Sequence, residues 1–266
     1  MRVTQTQLHQ TSLTSVMGAR ARLQEAQEIA LTGRRVNRPS DDPTASSRVT
    51  RLDDLRTEVE SHLSNIDEGR ARLQTAEQAL AEVGNQLIRA KELAMSMANG
   101  TMTADQRSVA ASEITQLRRT VADLINTQHL GEYVFANIDT NTQPYDRSTN
   151  SFTYDVNTYD AVRSVETGPS STTEIGGSAA HAFAQRATDP GSVDVPEVLG
   201  VLITRLTTDD SAGIRSSIDD IDTAFDQVLG ERSRVGSRLA ELRSANTSAE
   251  QQRDVYERLG GELIDA

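Results

Sequence analysis

Every seventh residue from Leu52 is apolar: Leu52, Val59, Ile66, Leu73, Leu80, Leu87 and Ala94. A repeat of seven held over such a span makes one narrow stripe along a helix, because about 3.5 residues per turn keeps the same face towards a partner. Three residues further on, the second seam reads Leu55, His62, Gly69, Ala76, Val83, Ala90 and Met97, mostly small, so a neighbouring helix can approach closely. No proline occurs between Pro43 and Pro144. The pattern predicts one helix from Pro43 to about Asn99, roughly 85 Å long at about 1.5 Å per residue. Each buried Leu, Ile or Val contributes about 1.5–3 kcal/mol, which outweighs a penalty of about 1 kcal/mol for each of Gly69 and Gly84. A second series steps by four and three through Ile214, Ile218, Ile221, Phe225, Val228, Arg232, Val235, Leu239, Leu242, Asn246, Ala249, Arg253, Tyr256, Gly260 and Leu263. It predicts a second long helix lying along the first, with Arg232, Asn246 and Arg253 as polar positions that set register.

Shorter elements fall around this pair. Residues 5–32 read as a helix with a weak face of Leu8, Leu13, Val16, Leu23, Ala26 and Ala30, interrupted by Arg20 and Gln27 and stopped at Thr32-Gly33. After the Asn99-Gly100 turn, Thr103-Ala104-Asp105-Gln106 is a capping-box pattern. It opens a helix with Ile114, Leu117, Val121 and Leu124 on one face, antiparallel to the long helix before it. Gly131 ends the helical region and Glu132 to Ala136 reads as a strand. Residues 138–193 lose helical periodicity. Phe152, Tyr154 and Val156 alternate as a strand does, Asn150-Ser151 and Asn157-Thr158 offer turns, and Val162 to Glu166 pairs next. Asp194-Val195-Pro196-Glu197 resumes helix, with Val198, Leu202 and Leu206 on one face. The fold class is therefore mainly α with a small β insert: a long antiparallel helical bundle or coiled-coil rod plus a β-rich outer domain. The segments are 1–33, a helix; 34–136, the first part of the helical core; 137–193, the β-rich domain; and 194–266, the second part of the core.

Composition sharpens this picture. Aromatic residues make up 3% of the chain, with no Trp, which suits helices packed along stripes rather than a broad core. Seven of the nine lie between 133 and 183 (Tyr133, Phe135, Tyr145, Phe152, Tyr154, Tyr159 and Phe183), so that segment folds as its own unit. Residues 1–51 hold eight Arg against four acids, a net of +4, which leaves −16 for the rest of a chain whose total is −12. An acidic body argues against nucleic acid as partner, and the basic start suits an acidic surface on another copy. No Cys is present, so neither disulfides nor thiol chemistry is available. No run reaches the roughly 18 apolar residues of a membrane span, and the first residues lack the apolar core of a cleaved signal peptide.

The sequence offers little for catalysis. His9, His62, His129 and His181 are scattered without metal-ligand spacing. The pairs Asp53-Asp54, Asp209-Asp210 and Asp219-Asp220 point apart on helices and read as surface charge or caps. Asp139-x-Asn141 lacks the Gly and final Glu of a calcium loop. Gly176-Gly177-Ser178 lacks the Lys and the strand-loop-helix context of a phosphate loop. No catalytic residue, metal or cofactor is expected. The exception to this bland surface is Arg34-Arg35-Val36-Asn37-Arg38-Pro39-Ser40-Asp41-Asp42-Pro43, a basic turn closed by a helix start, with Asp42 as cap and Pro43 in the first helical position.

Leu31-Thr32-Gly33 and the ten residues that follow resemble the amino-terminal signature of the flagellin superfamily. The ending Pro39-Ser40-Asp41-Asp42-Pro43 is more similar to its hook-filament junction members (the hook-associated protein 3 type) than to filament flagellins. Gly131-x-Tyr133-x-Phe135-Ala136 is similar to the exit from the helical core of the same group. The resemblance implies a structural protein of the bacterial flagellum that is not an enzyme. Such a protein is exported without a cleaved signal peptide through the flagellar export apparatus with an export chaperone, and it works outside the cell. Copies would form a homo-oligomeric ring joining the hook-side junction protein to flagellin, with no membrane or nucleic-acid partner. Residues 1–33 would then be an assembly helix, and Arg34, Arg35, Val36, Asn37, Arg38, Pro39, Asp41, Asp42 and Pro43 assembly contacts. The resembling family carries one more terminal helix than the pattern shows before Ala266. A filament-forming flagellin is the alternative, and a coiled-coil signalling or binding module the more distant one.

Overall fold

The computed structural model describes residues 5–136, 138–153 and 163–265. Helix α1 (Gln5–Thr32) ends at Gly33, whose φ of +69° is the left-handed conformation that favours glycine. Helix α2 (Pro43–Met97) runs for 55 residues and α3 (Ala104–Ile125) follows. Three two-stranded antiparallel ribbons come next: β1 (Gln128–His129) with β2 (Glu132–Tyr133), β3 (Tyr145–Asp146) with β4 (Ser151–Phe152), and β5 (Ser164–Gly168) with β6 (Ser171–Glu174). The short α4 (Ala179–Phe183), α5 (Val195–Thr207) and the 54-residue α6 (Ser211–Ile264) complete the chain. It divides into two compact units, Met1–Ser61 with Ser248–Ala266, and His62–Thr247.

In the larger unit the heptad stripe of α2 is fully inside. Ile66, Leu73, Leu80, Leu87 and Ala94 are buried on one seam, and Gly69, Ala76, Val83 and Ala90 on the other. Its partner is α6, and the two run antiparallel. A Cβ on Gly69 would lie 3.4 Å from Leu242, Arg232 binds Glu77 at 2.6 Å, a Cβ on Gly84 would lie 3.6 Å from Phe225, and Lys91 binds Asp222 at 2.5 Å. The ion pairs line the rim and contribute little each, whereas the buried seam removes apolar surface along several turns.

The seam of α6 differs from the expected one by a step. Ile214, Ile221, Val228, Val235, Leu239 and Leu242 are buried, but the intervening inward positions are Ser217, Ala224 and Glu231. Ile218 and Phe225 are only half-buried against the core edge, and Arg232 is exposed. The cause lies in the elements packed beside α6. Glu231 is drawn inside because its Oε1 accepts from the Ser178 backbone N–H at 3.1 Å, just ahead of α4, while its Oε2 accepts from Arg234 at 3.0 Å. A buried carboxylate with such partners is tolerated where an unpaired one is not.

Helix α3 is opened by the reciprocal capping box of Thr103 and Gln106. It returns antiparallel along α2, with Arg89 binding Glu113 at 2.8 Å and Arg107 donating to the Met97 carbonyl at 3.1 Å. Arg107 is buried to 4% exposure and also donates to the Asn99 carbonyl at 3.1 Å and to Asp209. One guanidinium thus ties the free carbonyls at the end of α2 to the turn between α5 and α6. Helix α5 is capped by Asp194, whose Oδ1 accepts from Glu197 N–H at 2.9 Å, and it packs Val198, Leu202 and Leu206 towards α3.

The β ribbons are shorter than the alternation suggests. The expected strand over Glu132 to Ala136 is confined to Glu132–Tyr133, because the next backbone groups find partners in separate places: Val134 N–H on Thr127 at 3.0 Å, Gly177 N–H on Val134 at 3.2 Å and Ala179 N–H on Phe135 at 3.3 Å. Val134, Phe135 and Ala136 are buried core, and Phe135 meets Phe183 edge-on with ring centroids 5.1 Å apart. Asn150, with φ of +51°, turns β3 into β4. Tyr154, Val156 and the Asn157-Thr158 turn lie outside the described residues, as does Val162.

Two glycines act as sockets that fix this region on α2. A Cβ on Gly69 would come within 2.5 Å of Ile175 Cγ2, and one on Gly177 within 2.7 Å of the Phe135 ring. Beside them, buried Arg72 donates to Glu132 at 2.9 Å and to the Tyr133 carbonyl at 2.5 Å. Gly69→Ala is therefore expected to destabilise by about 1–3 kcal/mol through overpacking. Gly236→Ala, in α6 with open space around it, is expected to stabilise by up to about 1 kcal/mol through helix propensity. Urea denaturation of both variants checks this; a Gly69→Ala variant as stable as the parent would show that Ile175 does not fill the socket.

Candidate functional site

The turn between α1 and α2 lies in the smaller unit. Thr32 starts it: its Oγ1 donates back to the Glu28 carbonyl at 2.8 Å and accepts from Arg34 N–H at 3.2 Å and Asn37 Nδ2 at 3.2 Å. Asn37 Nδ2 also reaches the Arg34 carbonyl at 3.3 Å. The two acids divide the remaining backbone donors. Asp41 Oδ2 accepts from Arg38 N–H at 2.8 Å and Asn37 N–H at 3.2 Å, closing the turn itself. Asp42 Oδ1 accepts from Ala45 N–H at 2.9 Å and Thr44 N–H at 3.1 Å, capping α2 where Pro43 has no N–H to offer.

The basic residues play three different parts. Arg35 is a bridge: Nη2 donates to the Leu263 carbonyl at 3.0 Å and Nη1 to Asp42 Oδ2 at 3.3 Å, while its backbone N–H donates to the Ile264 carbonyl at 2.7 Å. Val36 N–H shares that carbonyl at 3.2 Å, and Arg34 pairs through its backbone with Asp265. The turn is thus docked on the last residues of α6, whose terminal carbonyls lack partners within the helix. Arg38 lies at the surface, within 3.7 Å of Glu28. The Arg34 side chain is exposed, as is Pro39, and Val36 is half-buried. The docking on Leu263, Ile264 and Asp265 had no local signal in the sequence, since it joins segments 228 residues apart.

Two apolar features surround the turn. Leu52 and Leu55 of the α2 seam are half-buried and, with Leu259 and Leu263 of α6 and the stems of Arg48 and Arg51, line an open groove of about 480 Å³. On α1, Leu13, Val16, Met17, Leu23 and Leu31 are between 50% and 87% exposed. Among the described residues no three His, Asp or Glu side chains gather as a metal site, and no described helix is long and apolar enough to cross a membrane.

Backbone donation from Ala45, and then the Arg35 guanidinium, hold the Asp42 carboxyl below its ordinary 3.8. A depressed folded value means that the stabilisation is complete above about 3.8 and is lost as the pH falls through the lower folded value. The Ala45 amide resonance is therefore expected to titrate with a midpoint below 3.8. Arg35→Gln should raise that midpoint only partly, because the backbone donor remains. A midpoint at or above 3.8 in the parent chain would contradict the cap.

Comparison with known proteins places these features. The family model described as the bacterial flagellin N-terminal helical region matches residues 3–140. Flagellar hook-associated protein 3 of Salmonella typhimurium is 26% identical over 153 residues, covering 57% of this chain and 48% of that protein. The Escherichia coli protein of the same name is 28% identical over 146 residues, covering 54% and 46%. The chain spans about half the length of the curated relatives it matches. Among solved structures, a putative flagellar hook-associated protein from Vibrio parahaemolyticus superposes with a TM-score of 0.76 at 22% identity, over 85% of this chain and 100% of that one. Its likeness establishes a shared fold.

Proposed function

Because the chain belongs to the bacterial flagellin family, whose N-terminal helical region it matches over more than half its length, we propose that it is the structural protein joining the flagellar hook to the filament. The observation that carries this reading is its match to two relatives named hook-associated protein 3, which extends over about 150 residues. Copies would form a ring seated on the hook-side junction protein and receive flagellin on the other side. The chain would travel through the flagellar export apparatus, with an export chaperone and without a cleaved signal peptide, and act outside the cell. The lack of Cys suits passage as an unfolded chain.

Two features of the smaller unit support a role in assembly. The apolar face of α1 is left uncovered in the single chain, and a helix of this weak pattern gains stability only against a partner. The turn from Arg34 to Pro43 is held by its own hydrogen bonds, so the exposed Arg34 and Arg38 are presented on a fixed backbone rather than a loose loop. Arg34 and Arg38 are the assembly contacts on this account, Arg35, Asp41 and Asp42 position them, and Val36, Asn37, Pro39 and Pro43 shape the turn. The seam residues Leu52, Val59, Ile66, Leu73, Leu80, Leu87, Ile218, Phe225 and Leu239 serve the helical pairing on this account.

A filament-forming flagellin is the second reading, favoured by the family match itself. Deleting the gene separates the two. The junction role predicts cells that keep their hooks, lose their filaments and shed flagellin subunits into the medium. Cells without filaments and without exported flagellin would favour the second reading, and normal filaments would overturn both.

A further inference from the structure

A cavity of about 550 Å³ opens in the larger unit between α3, α5 and the β3–β4 ribbon. Its walls carry three guanidiniums, Arg118 and Arg119 from α3 and Arg147 from the ribbon, together with Tyr145 and Asn150; Ala122 and Ile203 supply apolar floor. We propose that this cavity binds a small polyanion, a molecule carrying two or more carboxylate or phosphate groups.

The site is built rather than incidental. Asn126, at the end of α3, grips the ribbon in both directions: Tyr145 N–H donates to its Oδ1 at 3.0 Å and its Nδ2 donates to the Tyr145 carbonyl at 2.8 Å. Phe152 packs edge-on against Tyr145 with ring centroids 5.2 Å apart. The Tyr145 side chain is consequently fixed and buried, with its hydroxyl against the Arg118 guanidinium. Arg118 lies over Gly200 of α5, where a Cβ would meet its guanidinium carbon at 3.2 Å, so glycine makes room for it.

Arg119 is the cation available to an anion. Arg147 pairs with Asp123 at 2.5 Å; Asp194, whose carboxyl burial pushes up to about 6, lies within electrostatic reach of Arg118, and Glu197 lies within reach of Tyr145 and Asp194. Arg119 is exposed and makes no ion pair among the described residues. Three carboxylates thus offset charge around the cavity, and among the described residues Arg119 is the guanidinium left without an acidic partner. Distant acids are screened beyond about 8–10 Å at ordinary ionic strength, so the local cluster decides. Planar guanidiniums bind carboxylate and phosphate oxygens in pairs, and a cavity of this size matches a small molecule.

Calorimetric titration of the full chain with citrate, and separately with pyrophosphate, tests the site. One saturable site is expected for at least one probe, with citrate tighter for a carboxylate ligand and pyrophosphate tighter for a phosphate ligand. Arg119→Gln, an exposed change that leaves the fold intact, should weaken binding about tenfold, and Tyr145→Phe should weaken it as well. Arg22→Gln, an equal loss of charge on α1, should leave it unchanged. No saturable binding of either probe would overturn the proposal, as would equal weakening by Arg22→Gln.

Discussion

The close approach of α2 to α6 is the constraint on which the larger unit depends. Two long helices with few large residues can bury enough surface only if their backbones come near, and the second seam of α2, with Gly69, Ala76 and Ala90, permits that. The same small positions serve a second purpose. Gly69 admits Ile175 as well as Leu242, so one gap in the helix surface receives both the partner helix and the β-rich segment. The helix-propensity cost of a mid-helix glycine is thereby offset at that point by packing.

The long pattern was legible because it is periodic. The seam from Leu52 to Ala94, the capping box at Thr103, the cap at Asp194 and the turn at Gly33 each rest on local chemistry that a single sequence displays. What stayed hidden was the choice between adjacent residues made by distant partners. On spacing alone Arg232 and Glu231 compete for one inward position, and the Ser178 backbone N–H decides for Glu231. The strand after Gly131 stops early for a similar reason, since Val134 and Phe135 divide their hydrogen bonds among Thr127, Gly177 and Ala179. Arg107 carries no local signal in the sequence, yet it is nearly fully buried against two turns brought together by the fold.

The basic turn illustrates the same distinction within one short stretch. Its composition predicts a positive surface, and its acids predict a helix cap; Asp42 does cap α2. The sequence does not reveal that Arg35 is spent on the end of α6, which leaves Arg34 and Arg38 as the outward charges. The cavity beside Tyr145 was equally invisible, because its three arginines come from two elements joined only by the packing of the β3–β4 ribbon on α3.

In the larger unit α2 and α6 form a single cooperative frame, onto which α3, α5 and the β ribbons dock. Native-state hydrogen exchange tests it most directly. Amides from Ile66 to Ala94 and from Ile214 to Leu242 are expected to share one opening free energy, the highest in the chain, with α5 and the β ribbons opening at lower cost. Separate opening energies for the two long helices, or a slower-exchanging α5, would contradict it.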